Sequence, residues 1–252
     1  MQQDSGGKVH YHVAGADAGW KWLTDGFTLF SRNIGVWIGI AVLYGVAYFA
    51  ISLVGLSLVV YLVAPAIAAG MMLGCRDQEE GRPLEVNHLF KGFQSPQFGS
   101  LLALGALTLG FTILVIVVAV ILAVIILGSS LITALMADQG ANVWSQFDTT
   151  KTIIFVMVEL LVVMTGLLLV GLAGWLAPCM VIFDNMNPIE ALRHSLIIGL
   201  KNWLPLTVFG LVVTILAIAA SIPLMLGWLV LTPVLWCATY TAWRDIGQIR
   251  RG

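Results

Sequence analysis

Charged residues are scarce in this chain, and their scarcity excludes an ordinary water-soluble fold. Asp, Glu, Lys and Arg make up 10% of the 252 residues, whereas a soluble domain carries roughly 25%. Apolar residues make up 60%, and the mean hydropathy is +0.98. Apolar runs of roughly 20 residues, the length that crosses about 30 Å of hydrocarbon, follow one another closely. The composition therefore predicts a polytopic membrane protein.

Signals for several kinds of chemistry are also absent. The formal net charge is −1, so there is no bulk attraction to nucleic acid. The three cysteines, Cys75, Cys179 and Cys237, form no CxxC pair, which argues against a disulfide framework or a zinc ribbon and favours small packing residues. No HExxH, nucleophile elbow, P-loop or dinucleotide fingerprint occurs. We therefore expect no enzyme activity, no catalytic or metal-binding residue, no cofactor and no nucleic-acid partner.

Six apolar runs predict an all-α bundle of six transmembrane helices. They extend over about 34–54, 56–75, 98–127, 151–183, 204–221 and 224–243. The third and fourth runs exceed what a bilayer needs, which leaves two explanations open: a tilted span, or a helix that continues past the membrane. Residues 1–15 lack the apolar core of a signal peptide and are predicted to be a disordered cytoplasmic tail. The remaining residues, 16–252, are predicted to form a single integral membrane domain.

Three shorter amphipathic stretches each precede a pair of spans. In the first, Trp20 and Leu23 begin a stripe that continues to Phe30. In the second, Pro83 fits the first helical turn. In the third, an N-cap signature at 187–190 opens a helix whose apolar stripe is Ile189, Leu192, Leu196 and Leu200. We expect all three helices to lie in the lipid headgroup layer. The residues predicted to be interfacial are Trp20, Phe27, Phe30, Phe90, Phe93 and Trp203.

The positions of Lys and Arg predict the orientation of the spans. Eleven of the 12 lie before the first span or after the second, fourth and sixth spans, and Lys151 is the exception. Since cytoplasmic segments carry the excess of Lys and Arg, both termini are predicted to be cytoplasmic. The segment 128–150 is then predicted to face the opposite side.

An internal repeat underlies the six spans. Pro65 and Pro233 are 168 residues apart, and so are Asp77 and Asp245. The predicted units, each an amphipathic helix and two spans, cover about 16–77, 78–184 and 185–245. Proline inside a span is expected to bend the helix at both positions. Small residues at intervals of four are expected to let helix backbones approach closely. These helix-packing positions are Ala66, Gly70, Gly74, Ala238 and Ala242.

Several phrases of the sequence resemble a known family. They are GVWIGIAVLYG, LGCRDQEEGRPLEVNHLFKGF, WLAPCMVIFD and NWLPL…YTAWRDIG, and the likeness covers nearly all of 20–246. The phrases look like an uncharacterised family of proteobacterial six-pass inner-membrane proteins. More loosely, the plan is similar to the non-catalytic membrane domain associated with glycerophosphodiester phosphodiesterases. The resemblance implies an inner-membrane location and a fold, and it carries over no catalytic residue.

Glu159 is the candidate functional residue, because an acid within a span is a functional-site hypothesis by default. The repeat aligns Glu159 with Ser52 and Ala220 beside the outer turns, which favours a solvated interfacial acid over an ion-coupling role. His88 and His194 are interpreted as polar positions on the flanks of the amphipathic helices.

Two kinds of function remain open at this point. The composition favours a structural, accessory or assembly protein that contacts membrane lipids and a complex partner or a second copy. The alternative is a transporter or lipid-handling protein. Its cavity would be lined by polar span residues, namely Tyr44, Tyr48, Tyr61, Thr108, Thr112, Thr165, Thr207 and Thr214.

Overall fold

The structure is a computed structural model that describes residues 9–128, 149–247 and 250–251. The regular secondary structure of the described part is helical except for one antiparallel pairing of two-residue strands, β1 (Val9–His10) and β2 (Arg250–Arg251). This confirms the all-α class. The helices are α1 (Ala18–Ser31), α2 (Ile34–Leu53), α3 (Ser57–Glu79), α4 (His88–Gln94), α5 (Phe98–Leu127), α6 (Thr149–Trp175), α7 (Ala177–Asp184), α8 (Pro188–Lys201), α9 (Trp203–Ser221) and α10 (Trp228–Ala242), which continues as a π-helical turn at Trp243–Gly247.

Five helical segments of the described chain are long and apolar enough to cross a membrane. They are α2, α3, α5, the α6–α7 segment and α9. Their bounds agree with the predicted spans to within a few residues, although α3 continues to Glu79. The predicted sixth span, about 224–243, is represented by α10, whose 15 residues span only about 22 Å.

The turn before α10 explains why that helix starts late. Leu224 and Met225 have φ angles of 50° and 64°, in the left-handed region, so neither continues a right-handed helix. Pro223 precedes them, and the helix begins at Trp228. The six-span count therefore stays a prediction.

A break divides the predicted fourth span at Leu176. The Ser195 hydroxyl of α8 accepts the Leu176 N–H at 3.1 Å and donates to the Leu172 carbonyl oxygen at 2.7 Å. It therefore stands between the donor and the acceptor that a continuous α-helix would join directly. Pro178, at the start of α7, removes a further backbone donor. Together these two residues account for the break.

The described end of the N-terminal segment contacts the rest of the protein, and the predicted disorder of 1–15 falls largely on residues 1–8, outside the described residues. The Tyr11 hydroxyl lies 2.7 Å from His194 Nδ1, and the Lys201 ammonium lies over the Tyr11 ring at 4.6 Å. The Ala14 N–H donates to Asn202 Oδ1 at 2.9 Å. Residues 11–14 are thus fastened to the junction of α8 and α9, a contact between distant parts of the chain that local composition does not reveal.

The chain forms two compact units, which are described separately. The first contains the described residues within 1–106 and 172–252, and the second contains those within 107–171. The boundaries of these two units follow the packing of the chain. They differ from the boundaries of the predicted repeat units, each of which ends at an acidic residue. The predicted outer loop falls largely on 129–148, outside the described residues.

The small residues of α3 pack against α4, not against another long span. A Cβ placed on Gly92 of α4 would lie 1.8 Å from the Ala66 carbonyl oxygen, and one on Gly70 would lie 2.3 Å from the His88 carbonyl oxygen. Gly74 faces the side chains of Leu84 and His88. Backbones in such close contact leave no room for a side chain at Gly70 or Gly92.

Helix α10 makes the corresponding contact with α1. A Cβ on Gly26 would lie 2.6 Å from the Ala238 backbone nitrogen, and Ala238 and Ala242 are fully buried. At the start of α1, a Cβ on Gly19 would lie 2.1 Å from the Pro205 carbonyl oxygen of α9. The first amphipathic helix is therefore held against the last two long helices of the chain by glycine contacts.

Each amphipathic helix carries large apolar residues on its exposed side, and its buried side combines small residues with large ones. Trp20 and Phe27 of α1 are 56% and 54% exposed, whereas the buried side of α1 includes Gly19, Trp22 and Gly26. Phe30 corrects the prediction for interfacial residues: it is 2% exposed and packs inside the protein. The reason is that the buried face of α1 is wider than the predicted stripe.

The other two amphipathic helices follow the same division. Phe90 of α4, Trp203 at the start of α9, and Ile189 and Leu200 of α8 are exposed, and Phe93 is half-buried. The buried residues of α8 include Ala191, Ser195 and Gly199. The predicted headgroup location of these side chains stays a prediction.

The predicted start of α8 is confirmed, and the predicted start of α4 is wrong. Helix α8 begins as predicted, since Asn187 Oδ1 accepts the Glu190 N–H at 2.9 Å. Helix α4 begins only at His88, so the prediction that Pro83 lies in the first turn is wrong. The Glu85 N–H, in the turn before the helix, donates to His88 Nδ1 at 3.0 Å.

The glycine contacts predict a difference between two glycine substitutions. Gly92→Ala should destabilise the protein by about 1–3 kcal/mol, because the methyl group meets the Ala66 carbonyl and the helices must separate. Gly39→Ala is the matched control, because a Cβ there meets nothing within 4 Å. The measurement is the temperature at which each variant aggregates in mild detergent. Equal melting of the two variants would contradict the close packing.

Candidate functional site

Polar residues of the first compact unit gather where α3 ends and α4 begins. Asp77 Oδ2 lies 3.0 Å from His88 Nε2 and 3.1 Å from Lys91 Nζ. Its other oxygen, Oδ1, accepts a hydrogen bond from Arg82 Nη2 at 2.6 Å. This hydrogen bond raises the pKa of the Arg82 guanidinium. The Asp77 carboxylate therefore contacts three nitrogen-containing side chains. These contacts connect α3 to α4 and to the loop between them.

His88 is the most enclosed member of this polar cluster, with 0% of its surface exposed. Its Nε2 lies 3.0 Å from Asp77 Oδ2, and its Nδ1 lies 3.0 Å from the Glu85 amide nitrogen and 2.9 Å from the Glu85 carbonyl oxygen. Lys91 Nζ approaches the same Nε2 at 2.7 Å. Sequence reasoning placed His88 on a polar flank, and the structure instead buries it between two helices.

The end of α10 forms an equivalent connection to α1. The Trp22 indole N–H donates to Asp245 Oδ2 at 2.8 Å, and the Thr241 hydroxyl donates to the Trp22 carbonyl oxygen at 2.9 Å. Asp77 and Asp245 thus both accept a hydrogen bond from a buried ring on an amphipathic helix. Sequence reasoning missed Trp22, because it lies off the predicted apolar stripe.

Two further pairs join the ends of α3 and α10 to their neighbours. Glu79 forms an ion pair with Arg244 and accepts the Tyr240 hydroxyl at 2.8 Å. The Trp37 indole of α2 donates to Gln78 Oε1 at 2.9 Å. The polar groups at this end are therefore used largely for holding helices together.

The three cysteines are free and fully buried. Cys75 of α3 and Cys237 of α10 have their sulfur atoms 3.4 Å apart. Within the described ranges, no group of three or more His, Cys, Asp or Glu residues could hold a metal ion. Their role as packing residues stays a prediction.

Glu159 lies in α6, within the second compact unit. Its Oε2 atom is buried and has no hydrogen-bond partner among the described residues, while the side chain as a whole is half-buried. Neither the solvated nor the ion-coupling interpretation is tested by this placement.

The polar span residues expected to line a transport cavity do not converge in the first compact unit. Tyr48 and Tyr61 are exposed, and so are Thr207 and Thr214. The hydroxyls of both threonines donate to carbonyl oxygens of their own helix. In the second unit the Thr112 hydroxyl donates to the Thr108 carbonyl oxygen. The hydroxyl groups of these threonines therefore form hydrogen bonds within their own helices.

Pro65 and Pro233 both lie inside helices, and both are buried. Pro65 lies in α3 and Pro233 lies in α10, as expected if the two prolines are equivalent positions of the predicted repeat. The expected helix bends stay a prediction.

An open apolar groove runs between α1 and the last two helices. It has a volume of about 420 Å³. Its lining residues are Trp20, Leu23, Thr24, Phe27, Thr28, Val212, Leu216 and Val234. The groove was not anticipated from the sequence, because it forms only where α1 crosses α9.

Known proteins similar to this chain are described as membrane proteins. A family described as "Predicted integral membrane protein (DUF2189)" matches residues 52–162. A "Probable inner membrane protein" of Burkholderia thailandensis is 27% identical over 249 residues, covering 91% of this chain and 90% of that protein. No solved structure matches. The looser similarity to the membrane domain of glycerophosphodiester phosphodiesterases finds no support.

These similarities agree with the apolar helices. The chain is an integral membrane protein with several transmembrane helices, and nothing in the matches assigns it a reaction.

The Asp77 cluster predicts unequal effects of two charge removals. Asp77→Ala should destabilise the protein by about 3 kcal/mol, since it leaves buried His88 and two cations without their carboxylate. Glu80→Ala removes a half-exposed acid that pairs with Arg82, and it should cost at most about 1 kcal/mol. Thermal unfolding in detergent measures both. A larger loss for Glu80→Ala would contradict the role given to Asp77.

Proposed function

We propose that this chain is a six-pass inner-membrane protein without enzymatic activity, acting as a structural, accessory or assembly protein through helix and lipid contacts. Its partners are membrane lipids and either another membrane protein or a second copy of the chain. The inner-membrane location is supported by the name of the Burkholderia relative.

The observation that carries this proposal is the separation of polar and apolar side chains in the first compact unit. The polar side chains at the ends of α3 and α10 are paired with one another inside the protein. Large apolar side chains of the long helices and of the amphipathic helices face outward. An exposed surface of this kind suits acyl chains and the helices of other membrane proteins.

The small-residue positions do not themselves supply a partner surface. Ala66, Gly70, Gly74, Ala238 and Ala242 are all buried against other parts of the same chain. A partner must therefore contact other residues of the chain, such as the outward-facing large apolar side chains.

The proposed repeat is supported by three helix contacts. The second long helix of each unit contacts the amphipathic helix that comes next: α3 contacts α4, the α6–α7 break contacts α8, and α10 contacts α1. The last contact returns to the amphipathic helix of the first predicted repeat. Gly70 and Ala238, which are 168 residues apart, each lie at a close approach of two helix backbones.

The proposed six spans and cytoplasmic termini predict the location of residue 140. A reporter enzyme that is active only outside the cytoplasm should be active when fused at residue 140 and inactive when fused at residue 81. The physical reason is that eleven of the 12 Lys and Arg residues lie on the side assigned to the cytoplasm. Activity at 81 with none at 140 would overturn the orientation.

The proposed assembly role is tested by purification from the native membrane in mild detergent. We expect a defined membrane protein, or a second copy, to co-purify together with phospholipid. A chain that purifies as a monomer without any protein, at a detergent concentration that preserves other complexes, would contradict the assembly role.

The alternative function, a transporter or lipid-handling protein, is favoured by one observation, the apolar groove beside α1. Solute or ion flux in proteoliposomes would support it. We expect Glu159→Gln to leave any such flux unchanged, because the repeat aligns Glu159 with residues beside the outer turns. Loss of flux in Glu159→Gln, with the protein still folded, would assign Glu159 an ion-coupling role.

A further inference from the structure

We propose that the groove between α1 and α9 is a binding site for one acyl chain of a membrane phospholipid, whose headgroup lies beside Lys21. This inference rests on the membrane location in the proposed function, and it adds a specific lipid site to it.

The lining of the groove is apolar on its floor and its walls. Leu23 and Val234 form the floor and are almost fully buried, whereas Trp20 and Phe27 are more than half exposed. An occupant that covered the two aromatic rings would remove a large apolar area from its surroundings. The gain would be greatest for an apolar occupant.

The two hydroxyl groups of the lining do not change this preference. The Thr24 hydroxyl donates to the Lys21 carbonyl oxygen at 2.9 Å, and the Thr28 hydroxyl donates to the Thr24 carbonyl oxygen at 2.9 Å. Both donors are therefore used within α1. A polar ligand needs convergent donors and acceptors in its site, and these threonines offer it little.

A short groove lined by eight residues suits a flexible occupant. A partner helix binds in a groove through anchors spaced over about two turns. A flexible acyl chain has no such minimum length, and the position and charge of the groove decide between the two occupants.

Position and charge favour a phospholipid as the source of the chain. Val212 and Leu216 belong to α9, one of the helices able to cross a membrane, so the groove opens along an apolar helix. Lys21 is exposed and directly follows Trp20, at the end of α1 where the groove begins. Its ammonium complements the phosphate of a lipid headgroup.

The test uses the full chain in vesicles of phosphatidylethanolamine and phosphatidylglycerol that contain a trace of phospholipid with a diazirine on one acyl chain. After irradiation, labelled residues are mapped by mass spectrometry. Leu216 in the groove is 41% exposed, and its neighbour Ile215 outside the groove is 67% exposed. We expect Leu216 to be labelled more strongly than Ile215. Labelling that follows exposure, with Ile215 ahead, would show bulk lipid only and would overturn the site.

A pair of substitutions separates groove binding from general lipid contact. Thr28→Trp fills the groove and should lower the labelling of Leu216 and Phe27, because the indole ring takes the place of the acyl chain. Thr214→Trp is the matched control, because Thr214 is also an exposed threonine bonded to its own helix and lies outside the groove. It should leave that labelling unchanged. Equal effects of the two variants would overturn the proposal.

The outcomes for the groove and for the proposed function can be told apart. Uniform labelling of α9 with residue 140 still outside the cytoplasm would remove the lipid site and leave the membrane topology intact. Gel filtration of both variants checks that they remain folded. If Thr28→Trp does not fold, the comparison of Leu216 with Ile215 in the unaltered protein still decides the proposal.

Discussion

The close approach of helix backbones at glycine and alanine is the constraint on which the first compact unit depends. In an apolar solvent the hydrophobic effect does not drive helices together, so van der Waals contact and hydrogen bonds must do so. Gly92 against Ala66 and Gly26 against Ala238 bring backbones together where even one methyl group would intrude. The short amphipathic helices are therefore integral parts of the core and not appendages on its surface.

This packing gives each amphipathic helix two different apolar surfaces. The inner surface includes small residues that meet the chain's own helices at close range, as Ser195 and Gly199 do in α8. The outer surface carries large residues such as Trp20 and Phe90. A conventional amphipathic helix pairs one apolar face with one polar face, whereas these helices connect a protein core to an apolar exterior.

Hydrogen bonds at the ends of the long helices complete the same connections. Asp77 meets His88 of α4, and Asp245 meets Trp22 of α1. In each case a carboxylate at the end of one helix bonds a ring of the adjacent amphipathic helix. This bond fixes the position of the amphipathic helix along the axis of its neighbour. Close backbone contact sets the distance between the helices, and the polar pair sets the register. The apolar groove follows from this geometry, because α1 crosses α9 at a fixed place and leaves the space between Phe27 and Leu216 open.

The sequence by itself determined the membrane class, the five long apolar helices and the start of α8 at Asn187, because these depend on composition, run length and local capping. It also identified Gly70 and Ala238 as contact positions. Only the tertiary structure decided what those residues contact, that Phe30 and His88 are buried, and that Ser195 interrupts the helix at Leu176. The physical reason is that helical periodicity gives the side of a helix on which a residue lies. Which of two apolar sides meets protein depends on how closely another backbone can approach, and that depends on residues distant in the chain.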